Sequence, residues 1–212
     1  MTKTVRNPLI TPILGEKILL HSCCAPCAGE IIEAITFSGI PLTVLFYNPN
    51  IYPENEYQLR KQENSRFAVK MGIPFIDLDY DQEAWMKETR GLEQEPERGR
   101  RCEACFSMRL ERTARYAVEN GFKIFTTSLG ISRWKDIQQV YQCGWMAAAR
   151  YPGLIFWDYN WRKQGGSERK EQIAKRENFY RQNYCGCCFS MESSSAKHNQ
   201  RANHAQLNPI YP

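Results

Sequence analysis

Apolar positions fall along this chain in short bounded runs, each followed by a longer stretch at helical spacing. Lys17-Ile18-Leu19-Leu20-His21 is a run of the kind a buried strand shows. Residues 28–35 then place apolar side chains at helical spacing, and Ser38-Gly39 offers a stop. The same alternation repeats down the chain. Strands are predicted over 41–47, 74–78, 123–127 and 154–157. Helices are predicted over 54–71, 82–91, 102–120, 136–150 and 168–180, with Gly72 and Gly121 closing two of them. Five strands alternating with helices predict an α/β fold, a Rossmann-like doubly wound parallel sheet. Residues 1–15, with Pro8 and Pro12, read as an N-terminal arm. Residues 16–192 read as one α/β domain. Residues 193–212 are polar and serine-rich and read as a disordered tail.

The cysteines change this picture most. There are nine, in three clusters plus the lone Cys143. No secretory leader opens the chain and no apolar run is long enough to span a bilayer, so a cytoplasmic protein with no membrane partner is expected. Clustered cysteines in that compartment point to metal or redox chemistry rather than to a disulfide scaffold. The net charge of +5 permits a nucleic-acid partner without demanding one.

Cys23-Cys24-Ala25-Pro26-Cys27 lies at the turn from the first strand into the first helix. In an open parallel sheet that turn is at the edge where ligands bind, and thiolates there face the positive end of a helix. Cys102-Glu103-Ala104-Cys105 opens a later helix, whose amino end belongs to the same edge. Both pairs are therefore expected at one site. Four thiolates suit a zinc ion or an iron–sulfur cluster. Side chains of adjacent cysteines are expected to diverge. That disfavours one tetrahedral ion and favours a cluster, whose separate irons accept neighbouring residues. Zinc, and metal-free buried thiols, remain open alternatives.

Cys185-Gly186-Cys187-Cys188 has a different character. Two thiols around one glycine close a small strained disulfide, the kind that is catalytic or regulatory. A third ligand set or inert thiols is the alternative. The motif follows the last helix, on a segment expected to swing to the sheet edge. Cys143 and His21 read as core residues; His198 and His204 fall in the tail. The aromatic and amide loop over 47–57 either stacks a base or is an ordered turn. Thr126-Thr127-Ser128-Leu129, with Lys135 and Asp136, forms a candidate pocket wall. Arg98, Arg100 and Arg101 beside Cys102 suit phosphate, or a solvated charge run. Three functional classes follow: a cluster-bearing enzyme, a zinc-stabilised RNA-binding module without catalysis, and a thiol-redox enzyme without a cluster.

Taken together these motifs resemble the cobalamin-independent epoxyqueuosine reductases of the QueH type. The resemblance rests on Leu-Leu-His-Ser-Cys-Cys-Ala-Pro-Cys, Tyr-Asn-Pro-Asn-Ile-Tyr-Pro with Glu56, Tyr57 and Arg60, and Gly-Arg-Arg-Cys-x-x-Cys-Phe with Met108, Arg109 and Leu110. It continues through Thr126-Thr127-Ser128-Leu129 with Ile131, Ser132 and Lys135 to Tyr180-Arg181-Gln182-x-Tyr184-Cys185-Gly186-Cys187. It implies an oxidoreductase that reduces epoxyqueuosine to queuosine at the wobble position of the tRNAs for aspartate, asparagine, histidine and tyrosine. It also implies a [4Fe–4S] cluster on Cys23, Cys24, Cys102 and Cys105, and a redox-active disulfide between Cys185 and Cys187. Cys27, with a nearby acid, is left as the place for a second iron. The partners are then tRNA carrying epoxyqueuosine and an electron donor that the sequence does not name. The implied fold is like that of the adenine-nucleotide α-hydrolases. Ser22-Cys23-Cys24 replaces the glycine-rich loop by which its ATP-using members hold pyrophosphate, so no ATP use is expected.

Overall fold

The computed structural model describes residues 6–78 and 80–193. Five parallel strands form one sheet in the order β3-β2-β1-β4-β5. They are β1 (Ile18–Ser22), β2 (Leu42–Phe46), β3 (Phe75–Asp77), β4 (Ile124–Thr127) and β5 (Ile155–Phe156). β1 is central and all five of its residues are buried, which is why it reads as a continuous apolar run rather than an alternating one. Its register sets His21 against Leu45 on one side and Thr127 on the other. The order reverses between β1 and β4. Open α/β sheets bind ligands outside the carboxyl ends of the strands at such a switch point.

The helices are α1 (Ala25–Phe37), α2 (Glu54–Lys70), α3 (Gln82–Glu88), α4 (Arg100–Glu119), α5 (Ile137–Ala149) and α6 (Gly166–Arg176). α1 buries Ile31, Ile32 and Ile35 against the sheet. Each such side chain contributes about 1.5–3 kcal/mol when withdrawn from water. α5 lies close against β5: a Cβ at Gly144 would come within 2.3 Å of the Phe156 ring.

The architecture is the one expected, and the departures are local. A single 3-10 turn, Ser128–Ile131, follows β4 where a loop was expected. α6 ends at Arg176 rather than continuing to 180, and Asn178 stands in the left-handed region at φ +50°. Residues 188–193 form a short helix that the sequence did not announce. Its Phe189 packs near Trp85 of α3 and beneath the Arg101 guanidinium of α4. Of the expected arm, residues from Arg6 are described. Arg6 pairs with Glu30 and Glu33 of α1, and the Leu9 N–H donates to Ser38 Oγ at 2.8 Å. Beyond Ser193 the expected tail lies outside the described residues, and with it His198 and His204.

Candidate metal and redox centre

β1 hands the chain to α1 through Cys23 and Cys24. Cys24 is the N-cap of α1, with extended backbone (φ −168°, ψ 150°), and Pro26 sits in the first turn, where a missing N–H costs nothing. The Cys23 and Cys24 sulfurs are 3.8 Å apart. With Cys27 they form a group whose sulfurs all lie within 4.8 Å of one another. The expected divergence of adjacent side chains is therefore corrected: the chain changes direction at the cap and brings both sulfurs to one side.

Thiol hydrogen bonds from Cys24 and Cys27 hold Cys23 well below the ordinary thiol range. The bond to Cys23, with burial, pushes Cys24 up to about 11, and bonds to both neighbours, with burial, push Cys27 well above the ordinary thiol value. Surrounding donors fix the arrangement. The Cys23 N–H donates to Ser128 Oγ at 3.0 Å, and the Ser128 hydroxyl faces Cys23 Sγ at 3.4 Å. Gln182 Nε2 donates to Cys24 Sγ at 2.8 Å. The Ser22 hydroxyl bonds to Asn64 Oδ1 on α2.

Cys102 and Cys105 lie at the amino end of α4 and stand outside that 4.8 Å group. The Arg98 N–H donates to Cys102 Sγ at 3.2 Å. Burial pushes Cys102 up to about 11, and negative charge on Cys185 and Cys105 adds to the shift. Arg109, one turn after Cys105, reaches from α4 to Asn48 on the loop after β2. Its Nη1 faces Cys105 Sγ at 3.8 Å and its Nη2 donates to Asn48 Oδ1 at 2.5 Å. Asn48 Nδ2 in turn donates to the Ser22 carbonyl at 2.9 Å, and the Arg109 charge helps hold Cys23 down.

The Cys185-Gly186-Cys187 segment is seated at the same edge. Arg60 Nη1 donates to the Cys185 carbonyl at 2.9 Å, and the Tyr52 N–H donates to the Gly186 carbonyl at 2.8 Å. Gly186 has φ +142°, a region L side chains rarely enter. A Cβ there would lie 3.1 Å from Arg60 Nη1 and 3.2 Å from Asn50 Nδ2. Burial pushes Cys187 up to about 12. All nine thiols are free. Half-buried Lys135 looks onto the group. Burial works against its charge, but the thiolates of Cys185, Cys23, Cys27 and Cys24 outweigh burial and raise it.

Several candidates prove structural. His21 donates from Nε2 to the Tyr47 carbonyl (3.1 Å), so Nδ1 accepts from the Thr127 hydroxyl (2.8 Å). Burial lowers it to about 3, and it stays a neutral strut. Thr126 donates to the Trp157 carbonyl at 2.8 Å, which leaves Ser128 as the hydroxyl of the expected wall that reaches a thiol. The loop over 47–57 is an ordered turn: Tyr47 and Tyr57 are buried, and Tyr57 stacks on Tyr80. Arg101 is no phosphate ligand. It is buried, and its Nη1 donates to the carbonyls of Leu92, Glu93 and Glu95. Cys143 is buried under Ser107.

Sequence reasoning missed Asn48, Asn64, Arg60 and Gln182 as supports. One signal was present: Glu56, Arg60 and Asn64 recur at i, i+4 on α2, and all three are buried. A polar stripe on the inward face of a helix marks a site. The donor set itself fits an iron–sulfur cluster. Thiols from two cysteine pairs lie at one sheet edge, and the buried Arg109 guanidinium, which no carboxylate pairs among the described residues, faces Cys105 Sγ, which suits an anionic group.

Comparison with known proteins agrees with this geometry. Among solved structures, the fold is similar to that of the U34-tRNA thiolase NcsA from Methanococcus maripaludis with its [4Fe–4S] cluster, at a TM-score of 0.56 and 14% identity. The match covers 95% of this chain and 71% of the thiolase, and it bears on the fold alone. Curated relatives are far more similar. The epoxyqueuosine reductase QueH of Histophilus somni is 57% identical over 194 residues, covering 92% of this chain and 80% of the relative. That of Acinetobacter baylyi is 55% identical over 190 residues, covering 90% and 87%. That of Thermotoga maritima is 33% identical over 184 residues, covering 85% and 93%. The profile of the family described as Epoxyqueuosine reductase QueH matches residues 18–193, the span that carries every cysteine discussed above, and the chain belongs to that family.

Proposed function

We propose that this chain is a cytoplasmic oxidoreductase that reduces epoxyqueuosine to queuosine at the wobble position of tRNA, with residues 16–192 as its catalytic domain. The observation that carries the reading is the meeting of Cys23-Cys24, Cys102-x-x-Cys105 and Cys185-Gly186-Cys187 at one sheet edge in a member of this family. In the proposed assignment Cys23, Cys24, Cys102 and Cys105 hold a [4Fe–4S] cluster. When bound, that group supplies single-electron transfer. Cys27 is the residue of the crowded group left over, and a second iron is assigned to its side.

The reaction takes two electrons and two protons. The two carbon–oxygen bonds of the epoxide break, a carbon–carbon double bond forms, and oxygen leaves as water. Oxidation of the Cys185 and Cys187 dithiol to a disulfide releases two electrons and two protons, which matches the demand. An external reductant, a partner of the protein, then returns the pair to thiols. Lys135 keeps its proton on Nζ beside the thiolates and favours their charged forms. ATP has no part in the proposed reaction. Ser22-Cys23-Cys24 forms the turn after β1, and the Cys23 amide is already taken by Ser128 Oγ at 3.0 Å, which supports that reading.

The test is turnover of epoxyqueuosine-containing tRNA by anaerobically reconstituted protein with a strong reductant, alongside iron and sulfide analysis. Brown protein with stoichiometric iron, sulfide and product is the expected result. Cys185→Ser and Cys187→Ser should keep iron while turnover collapses. A colourless zinc protein without turnover would overturn the reading.

A further inference from the structure

Arg109 is a buried cation that no carboxylate pairs among the described residues. It is 2% exposed. Its Nη2 donates to Asn48 Oδ1, its Nη1 faces Cys105 Sγ at 3.8 Å, and its Nε has no acceptor. The other buried arginines of this region are compensated differently. Arg60 is paired with Glu56 at 2.7 Å. Arg101 gives one nitrogen to three carbonyls and lies over the Phe189 ring. A guanidinium cannot shed its proton, so burying it without an anion is costly. Asn48 nevertheless holds Arg109 in place through the Ser22 carbonyl of β1, on the strand that leads into Cys23.

We propose that Arg109 is the counter-cation of the cluster and sets its reduction potential. The inference rests on the reading of Cys23, Cys24, Cys102 and Cys105 as cluster ligands. The geometry points to this role because the guanidinium faces the Cys105 sulfur at 3.8 Å while Asn48 ties it to the Ser22 carbonyl, next to Cys23. A [4Fe–4S] core with four thiolates is an anion, and one-electron reduction makes it more negative. A fixed buried cation favours the more negative state and so raises the potential, as do hydrogen bonds to the sulfurs. Arg109 is thus a positioning and electrostatic residue. It is not itself a proton donor.

The experiment compares wild type, Arg109→Met and Arg109→Lys, reconstituted anaerobically and titrated with a redox-calibrated reductant while the reduced cluster is followed by EPR. Arg109→Met should bind iron and sulfide but reduce at least tenfold less favourably, a shift of about 59 mV to more negative potential for one electron. Arg109→Lys keeps the charge and should recover most of the shift. An unchanged potential in Arg109→Met with full iron overturns the role while leaving the ligand assignment intact. Wild type without iron or sulfide overturns both. If Arg109→Met takes up no iron, melting of the cluster-free proteins decides. A variant melting at or above wild type supports the counter-cation role, because an uncompensated charge has been removed. A variant melting below wild type assigns Arg109 to packing and overturns it.

Discussion

At the scale of single residues, the centre shows how the same side chain takes different roles according to its neighbours. Cys23 and Cys143 are both buried thiols. Cys23 is crowded by two other sulfurs and held below its ordinary range, whereas Cys143 meets the Ser107 hydroxyl and burial pushes it up. In the proposed assignment the first is an iron ligand and the second is inert. Cys23→Ala should lose cluster and turnover together, and Cys143→Ala should keep both at a stability cost of about 1 kcal/mol. Iron analysis and a denaturant midpoint check the pair. Full iron in Cys23→Ala would show the ligand assignment to be wrong.

At the scale of elements, two joints deserve separate tests because they fail differently. The first is the Cys185-Gly186-Cys187 segment on the loop around Tyr52. Gly186→Ala would place a Cβ at 3.1 Å from Arg60 in a backbone region that disfavours it, at a cost of about 1–3 kcal/mol. Undocking the segment should reduce turnover at least tenfold while iron content stays at the wild-type level. The second joint is Glu177, just past α6, which bonds to Lys70 of α2 at 2.6 Å and to Arg176 at 2.8 Å. The Lys70 hydrogen bond, with help from Arg176, lowers its carboxyl below the ordinary value. A depressed carboxyl contributes stability above its unfolded value and loses it as pH falls through the folded one. Glu177→Gln should therefore cost about 1 kcal/mol at neutral pH, since both cations are solvent-exposed, and nothing once acid has protonated the native carboxyl. Denaturant melts across that range check the convergence of the two curves.

At the scale of the whole molecule, the excess positive charge matters for a polyanionic substrate. Binding of tRNA should weaken steeply with salt, because each neutralised phosphate releases counterions. The arginines beside Cys102 are not equivalent here. Exposed Arg100 is free to meet phosphate, and Arg100→Ala should lower the salt slope by about one. Arg101 is a pin between the 92–95 turn and the 188–193 helix. Arg101→Ala should leave the slope alone and destabilise the fold by about 1–3 kcal/mol, because buried carbonyls lose their donor. Binding measured from low to high salt, set beside melting temperatures, separates the two roles.

By itself the sequence determined the succession of elements, the parallel sheet and the families of cysteines. These are local matters: apolar runs bounded by glycine and proline, helical spacing, and thiols at fixed separations. Parallel connectivity then carries Cys23-Cys24 and Cys102-x-x-Cys105 to one edge, because every β-strand ends and every following helix begins there. The tertiary structure alone decided what each polar residue near that edge does. Nothing local distinguishes Arg101, sealed under Phe189, from Arg100, which faces solvent one residue earlier. Nothing local turns the sulfurs of Cys23 and Cys24 to the same side, binds Gln182 to Cys24 across 158 residues, or buries Arg109 with no carboxylate beside it among the described residues. Those outcomes depend on contacts between elements distant in sequence. Burial multiplies their energetic weight, because a charge or donor removed from water must find its partner inside the protein.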